Sequence, residues 1–313
     1  MGKRNWYDMR EFLAFLESKK NVMHIREQVD PAWEINGITR LGLQEGGPAI
    51  VFHNIKGADY PMVTNLLGTD QRYLWALGID KWSNFNNEWI RRTEKLVPWR
   101  VVKDGPCQER VIKGKDIDLH RVCNTVWHQH DGGEFPGTLS VSVTKDPDSG
   151  ILNAGIYRMH TLSRNTLGWG APEYTHGRQH YMKYEKLGKP MPMAVITGYD
   201  PTVFICASTR TPPDIDEFQI AGALRGEPLD MVKCQLSDIV VPATSEWVFE
   251  GVVRPGVRKI EGGFGEYTGY YGEARSNPVF EVQRITHRKK PVYLGAREQW
   301  APSDSALSVG KSS

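Results

Sequence analysis

The 313-residue sequence has little cysteine, no apolar run long enough to cross a bilayer and almost no excess charge of either sign. Each shortage excludes something. The four cysteines, Cys107, Cys123, Cys206 and Cys234, are widely spaced with no C-x-x-C pair, so neither a structural zinc site nor a disulfide framework is expected. They read as small buried hydrophobes. Lys and Arg number 39 against 37 Asp and Glu, a formal charge of +2, which is not the concentrated basic footprint of a nucleic-acid binder. The opening MGKRNWYDMREF lacks the apolar core of a secretory signal, and no later stretch approaches the ~20 apolar residues of a membrane span. A soluble, cytoplasmic protein is the expectation. G-x-x-x-x-G-K-[ST], G-x-S-x-G and H-E-x-x-H are also missing, which removes the main support for nucleoside triphosphatase, lipase-like and zincin readings.

What is present is a globular composition, 40% hydrophobic and 24% charged, in a chain long enough for one large or two smaller domains. Asp8 as N-cap, Glu11 three residues on, and Met9, Phe12, Leu13, Phe15 and Leu16 at helical spacing predict an amphipathic helix over 8–20. A strand over 22–26, a helix over 31–43, a strand over 49–55 and helices over 71–77 and 87–93 complete an N-terminal α/β unit. From about Val101, β-branched runs separated by Gly, Pro and Asp clusters predict strands. Leu139, Val141 and Val143 alternate, a turn over 146–150 follows, and 151–162 is expected to continue as one partner strand. Further strands are expected over 193–198, 203–207, 231–235, 246–253, 279–287 and 292–295, with helices over 179–187 and 215–224. The fold class this predicts is α+β: an N-terminal α/β unit over 1–110, an antiparallel, split-barrel-like domain over 111–300, and a polar tail over 301–313.

Four residue sets could carry chemistry. His128-Gln129-His130-Asp131, before Gly132 and Gly133, would on a strand place two imidazoles on one face, able to chelate a divalent metal with Asp131 in support. The same residues also describe an ordinary polar turn. The second set is Asn153 to Arg158 with His176, the third is Glu217 at the start of a helix, and the fourth is the Gly-rich stretch from Glu261 to Glu266. Two carboxylates on such a segment, joined by an arginine, can hold one group ionised and the other protonated near neutral pH. Singly, each has a structural reading: Arg158 as a surface cation, Glu217 as a charge favoured by the helix dipole, the glycines as a loop. Asn153 and Arg158 are five apart and face opposite sides of a regular strand. Both serve one site only if the strand is bulged, expected near Gly155, or if the ligand wraps its end.

Three segments occur in order: NAGIYRMHTLSRNTLG from Asn153, GALRGEPLDMVKCQLSDIVVPATSEWVFEG from Gly222, and EGGFGEYTGYYGE from Glu261. With them the chain resembles, from Met1 to about Arg297, the UbiD family of decarboxylases, which use prenylated FMN. The resemblance implies that Asn153, His176 and Glu217 bind a divalent ion, usually manganese, bridged to the flavin phosphate. Such nitrogen and oxygen donors suit Mn2+ or Mg2+ better than a thiolate-seeking metal. It implies flavin contacts from Ile156, Tyr157 and Arg158, and potassium on the carbonyls of Ala207 and Ser208. It also implies a Glu-Arg-Glu network of Arg158, Glu261 and Glu266, in which Glu266 delivers the proton that replaces carbon dioxide. The activity implied is reversible, non-oxidative decarboxylation of an aromatic or α,β-unsaturated carboxylic acid, with a UbiX-type flavin prenyltransferase supplying the cofactor. Gly263 stands where many relatives have proline. The family's C-terminal α/β domain does not follow within these 313 residues, so a second subunit or a homo-oligomer is the expected partner. A non-catalytic or split subunit of such a complex is the alternative, and a zinc hydrolase built on His128, His130 and Asp131 is a rival from another class.

Overall fold

The computed structural model describes residue 4 and residues 6–307. The first helix, Met9–Ser18, starts where Asp8 accepts the Glu11 N–H at 2.8 Å while the Glu11 carboxylate accepts from Tyr7 N, and it buries Met9, Phe12 and Leu16. Strand Val22–Val29 then runs parallel to Ala49–Ile55, joined by helix Glu34–Gln44. Met62–Thr64 adds antiparallel to the second strand. The fourth strand of this sheet, Tyr293–Leu294, comes from the far end of the chain. The N-terminal unit is therefore completed by residues some 230 positions later, and one hydrophobic core runs from Trp6 and Phe12 through Val143 and Ile196 to Leu294.

The second sheet holds the site. Its strands lie in the order Leu152–Ile156, Val141–Lys145, Met191–Thr197, Trp247–Glu261, Arg275–His287, Thr166–Trp169, Met159–Ser163, with Arg110–Lys113 pairing off Arg275–His287. The two outermost strands are consecutive in sequence and are separated only by Tyr157 and Arg158. A two-residue link between opposite edges requires the sheet to curl until those edges approach, and they do so without pairing. The result is a split rather than a closed barrel. The run 151–162, expected as one strand, is thus two strands on opposite edges. The expected bulge near Gly155 is absent, because Gly155 pairs with Ser142 in an unbroken register. The change of direction falls after Ile156 instead.

Residues 203–207, expected as a strand, are the second half of helix Pro201–Ala207. Asp200 accepts the Thr202 N–H at 2.8 Å and Pro201 occupies the first helical turn, so a strong start signal overrides the β-branched Val203 and Ile205. The longest strand, Trp247–Glu261, loses register with its partner between Val253 and Arg258 and regains it through Arg258–Pro278. Gly256, at φ 72°, permits the excursion, and the resumed pairing carries Glu261 to the end of the sheet.

The segment read from composition as a polar tail is partly packed into the fold. Ser303 and Asp304 are buried, and the Asp304 carboxylate accepts the Leu67 N–H at 2.5 Å; residues 308–313 lie outside the described residues. Burial pushes Asp304 up to about 6 and the neighbouring Glu298 up to about 8. Both carboxyls hold their protons when folded well above the pH at which the unfolded chain releases them. They therefore favour folding at pH 4 and below, and that benefit is lost as pH rises through 6 and then 8. Thermal unfolding followed from pH 5 to pH 9 should show stability falling by about 1.4 kcal/mol per pH unit for each group still protonated only when folded, the slope easing above pH 6 and levelling above pH 8. Glu298→Gln should flatten the upper part of that slope. Among the described residues, no helix is long and apolar enough to cross a membrane.

Candidate active site

Arg158 sits in the link between the sheet's two edges, where no ladder pairing dictates its direction. Its Nε donates to Glu261 Oε1 at 2.9 Å and its Nη1 donates to Glu266 Oε1. Glu261 ends the long strand and is fully buried, while the Glu266 side chain keeps 31% of its surface exposed. One guanidinium therefore spans two carboxylates in different surroundings. Burial pushes Glu261 up, against the pull of Arg158 and of Asn277, whose Nδ2 donates to Glu261 Oε2. Two glycines make room for this network. A Cβ at Gly170 would stand 2.8 Å from Arg158 Cγ and 3.0 Å from Glu261 Oε2; one at Gly272 would stand 2.9 Å from Arg158 Nη1 and 3.2 Å from Glu266 Oε1. Gly272→Ala should displace the flexible ends of that pair rather than the backbone, leaving the thermal midpoint nearly unchanged. Shifts of about 1 Å at reacting groups cost about 100-fold, so steady-state turnover of the variant should fall on that scale.

The loop that carries Glu266 is braced by the histidine-rich set. His128 to His130 form a turn rather than a strand, with His130 exposed, so the two imidazoles do not share a strand face. Asp131 accepts the His128 N–H at 2.8 Å with one oxygen and the Gly265 N–H at 3.0 Å with the other. Gly132 N–H donates to Gly263 O at 2.8 Å, and the backbones of Gly132 and Gly262 approach so closely that a Cβ on either would lie within 2.6 Å of the other's Cα. Gly262 serves that approach, since a side chain there would strike the backbone of residue 132. The Gly262 N–H donates to His160 Nδ1 at 3.3 Å, and His160 stacks on Phe135 with centroids 4.7 Å apart. His128, Asp131 and His160 thus fix the Glu261–Glu266 segment against the strand that follows Arg158.

On the other side of the same link lies a second polar group. Asn153 and Glu217 are both buried; Glu217 Oε2 accepts the Ala154 N–H at 2.7 Å and Oε1 accepts the Thr211 hydroxyl at 2.7 Å. Glu217 opens helix Glu217–Arg225, which Asp216 caps by accepting the Gln219 N–H at 2.9 Å. The Tyr157 hydroxyl stands 3.5 Å from Asn153 Nδ2 and also meets the Thr175 hydroxyl and the Gly177 N–H. Those two residues flank His176, the first residue of helix His176–Lys186. Gly155 and Gly177 leave the space that the Tyr157 ring fills. Asn153, His176 and Glu217 are in this way gathered around one tyrosine, with Ile156 leading into it.

Burial pushes Glu217 up to about 7, and its hydrogen-bond partners are neutral. A buried carboxyl held only by neutral donors suits a hard divalent cation, whose charge would hold it ionised. Among the described residues, no three His, Cys, Asp or Glu form a metal-binding group, so a site here depends on Asn153 as a donor. Ala207 and Ser208 end helix Pro201–Ala207, where the last carbonyls point away from the helix; the Ser208 hydroxyl donates to Ile205 O at 2.9 Å. Cys206, just before them, is fully buried and feels the charge of Glu217, which sets that helix end against the Glu217 group. Asn277 went unread in the sequence, since nothing local marks an asparagine on a strand as the partner of a residue 16 positions away.

Comparison with known proteins bears on the family. Residues 13–87 match the 3-octaprenyl-4-hydroxybenzoate carboxy-lyase N-terminal domain, and residues 100–298 match the Rift-related domain of the same family. An uncharacterised protein of Synechocystis sp., sll0936, is 32% identical over 96% of the chain, and the chain spans 64% of that protein's length. An evolved dimeric form of the UbiD-class enzyme HmfF from Pelotomaculum thermopropionicum, in complex with prFMN, superposes with a TM-score of 0.90 at 35% identity, covering 98% of this chain and 71% of that one. The vanillic acid decarboxylase of Sedimentibacter hydroxybenzoicus gives 0.89 at 35% identity, covering 95% and 64%. The two matched domains and the solved UbiD-class structure at 35% identity place the chain in the UbiD family.

Proposed function

We propose that this chain is the flavin- and metal-binding part of a reversible, non-oxidative carboxy-lyase acting on an aromatic or α,β-unsaturated carboxylic acid. The observation that carries the reading is Arg158 held between Glu261 and the more exposed Glu266. Asn153, His176 and Glu217 would hold Mn2+, and the carbonyls of Ala207 and Ser208 would hold K+. Ile156, Tyr157 and Arg158 would contact prenylated FMN, which supplies when bound the electrophilic centre that lets a carboxylate leave as carbon dioxide. Arg158 neutralises one acid and orients both. Glu261, anchored at both oxygens, stays the fixed partner of that charge. Glu266, on the open side of the network, gives its proton to the carbon that has lost carbon dioxide and takes it back in the carboxylating direction.

The bound prFMN of the HmfF form and the vanillic acid decarboxylase relative support the cofactor and the reaction class. The dimeric HmfF form also supports assembly with a second copy or subunit. Co-expression with a UbiX-type flavin prenyltransferase tests the reading: the purified protein should show flavin absorbance, the mass of prenylated FMN and bound manganese. It should also release carbon dioxide from at least one acid in a panel of cinnamic, hydroxybenzoic and furoic acids. Protein that retains no flavin would overturn the proposal, and retained flavin without turnover on any acid would reduce it to a binding subunit.

A further inference from the structure

The catalytic reading above leaves unexplained how two carboxylates sharing one arginine divide a single proton. The geometry around Glu261 answers this. Glu261 pairs across the sheet with Arg275, and Asn277 lies two residues further along the same strand, so its side chain and that of Glu261 are diagonal neighbours on one face. Asn277 Nδ2 donates to Glu261 Oε2, and Arg158 Nε donates to Oε1 at 2.9 Å. An amide N–H and a guanidinium N–H can only donate, so both oxygens of this buried group act as acceptors. Glu266 receives only Arg158 Nη1 within this network and is 31% exposed.

We propose that Asn277 is a positioning residue of this network: by donating to Glu261 Oε2 it holds that carboxyl against Arg158 and opposes its protonation, which keeps the network's proton available to Glu266. The inference rests on the catalytic reading given above, and nothing in that reading requires Asn277. The other groups facing Glu261 do not supply the same control. Arg275, its cross-strand partner, is exposed, Lys259 pairs with Asn277 along the ladder, and His160 is engaged by the Gly262 N–H. Burial is the largest influence on Glu261 and holds it above the ordinary carboxylate range even with Arg158 and Asn277 donating, so the amide's part is a downward pull that its loss would remove. With the amide removed, Glu261 Oε2 would be a buried acceptor without a donor, and protonating that oxygen would be the cheapest remedy. Arg158 would then have Glu266 alone as its counter-charge, which would weaken Glu266 as the acid.

The test uses the flavin-loaded protein and two variants, Asn277→Leu, which removes the donor at similar volume, and Asn277→Ala, which removes it without adding bulk and serves if the leucine variant does not fold. Two readouts are taken: the pH profile of turnover, and the carboxyl carbon shifts of 13C-labelled glutamate against pH without substrate. In both variants the alkaline limb of the profile should move down by about one pH unit or more, a tenfold loss of proton affinity at the acid, with kcat reduced and KM little changed. The labelled carboxyls should show Glu261 protonated to higher pH than in the parent protein and Glu266 ionised at lower pH. Titrations of Glu261 and Glu266 identical to the parent's in both variants would overturn the proposal. If no protein, parent included, turned over any acid, the decarboxylase reading would fail while the carbon titrations still decided the role of Asn277.

Discussion

Glu266→Gln is expected to lower turnover in both directions by about 100- to 10,000-fold, the range that a positioned acid contributes, while flavin absorbance and bound manganese stay at parent levels. The reason is local. The glutamine amide can still meet Arg158 in the space that Gly272 leaves, but it has no proton to give, and among the described residues no other acid bonds to Arg158 from the open side. Glu261 cannot substitute for it, being fully buried and held at both oxygens. Turnover and absorption spectra of parent and variant, loaded side by side, check this. Parent-level turnover in the variant would remove Glu266 from the chemistry.

Glu217→Gln should act in opposite directions on folding and on metal. In the metal-free protein the Glu217 carboxyl keeps its proton up to about pH 7, whereas the unfolded chain gives it up near its ordinary 4.5. The group therefore favours folding below that ordinary value, and the advantage disappears as pH rises through 7. At pH 8 the ionised carboxylate costs the fold about 3 kcal/mol, from the size of that shift. A neutral glutamine avoids the cost: its carbonyl can accept from Ala154 N–H, and its amide can donate to the Thr211 hydroxyl. In chelator at pH 8 the variant should melt at a higher temperature than the parent. In manganese the order should reverse, because the ligand charge is gone, and affinity should fall by more than the about 10- to 100-fold that losing a supporting group costs. Melting curves with chelator and with Mn2+ give both signs in one experiment. A variant stabilised by manganese as strongly as the parent would take Glu217 out of the metal site.

Local signals in the sequence were read well where one short stretch decided the outcome. Asp8 with Glu11 marks the first helix because a capping box is completed within four residues. The strand Ala49–Ile55 has the expected bounds because its apolar run is short and flanked by turn residues. Failures came where a distant partner decides. Val203 and Ile205 favour a strand in isolation, yet Asp200 and Pro201 start a helix. The run 151–162 is uniformly strand-like, and only the curl of the whole sheet divides it at Tyr157 and Arg158. Ser303 and Asp304 look like tail residues until Leu67 N–H is found as a partner. Arg158, Glu261 and Glu266 are each candidates in the sequence, but only the resemblance joins them, since 103 and 108 positions separate the arginine from its acids. Asn277 carried no signal, its meaning depending on a diagonal contact between two long strands.

The strand Leu152–Ile156 lies at the end of its sheet, with one side of its backbone turned away from any neighbouring strand. In most proteins such a side is a template on which another chain can stack and aggregate. Here its Ala154 N–H is taken by the Glu217 carboxylate, and the two-residue link turns the opposite end of the sheet toward it. Both measures shield the vulnerable margin of the sheet with parts of the reaction centre itself. Substitutions that loosen Glu217 or the Tyr157–Arg158 link should therefore raise the protein's tendency to aggregate as well as lower its activity, so selection for solubility and selection for catalysis would act on the same few positions.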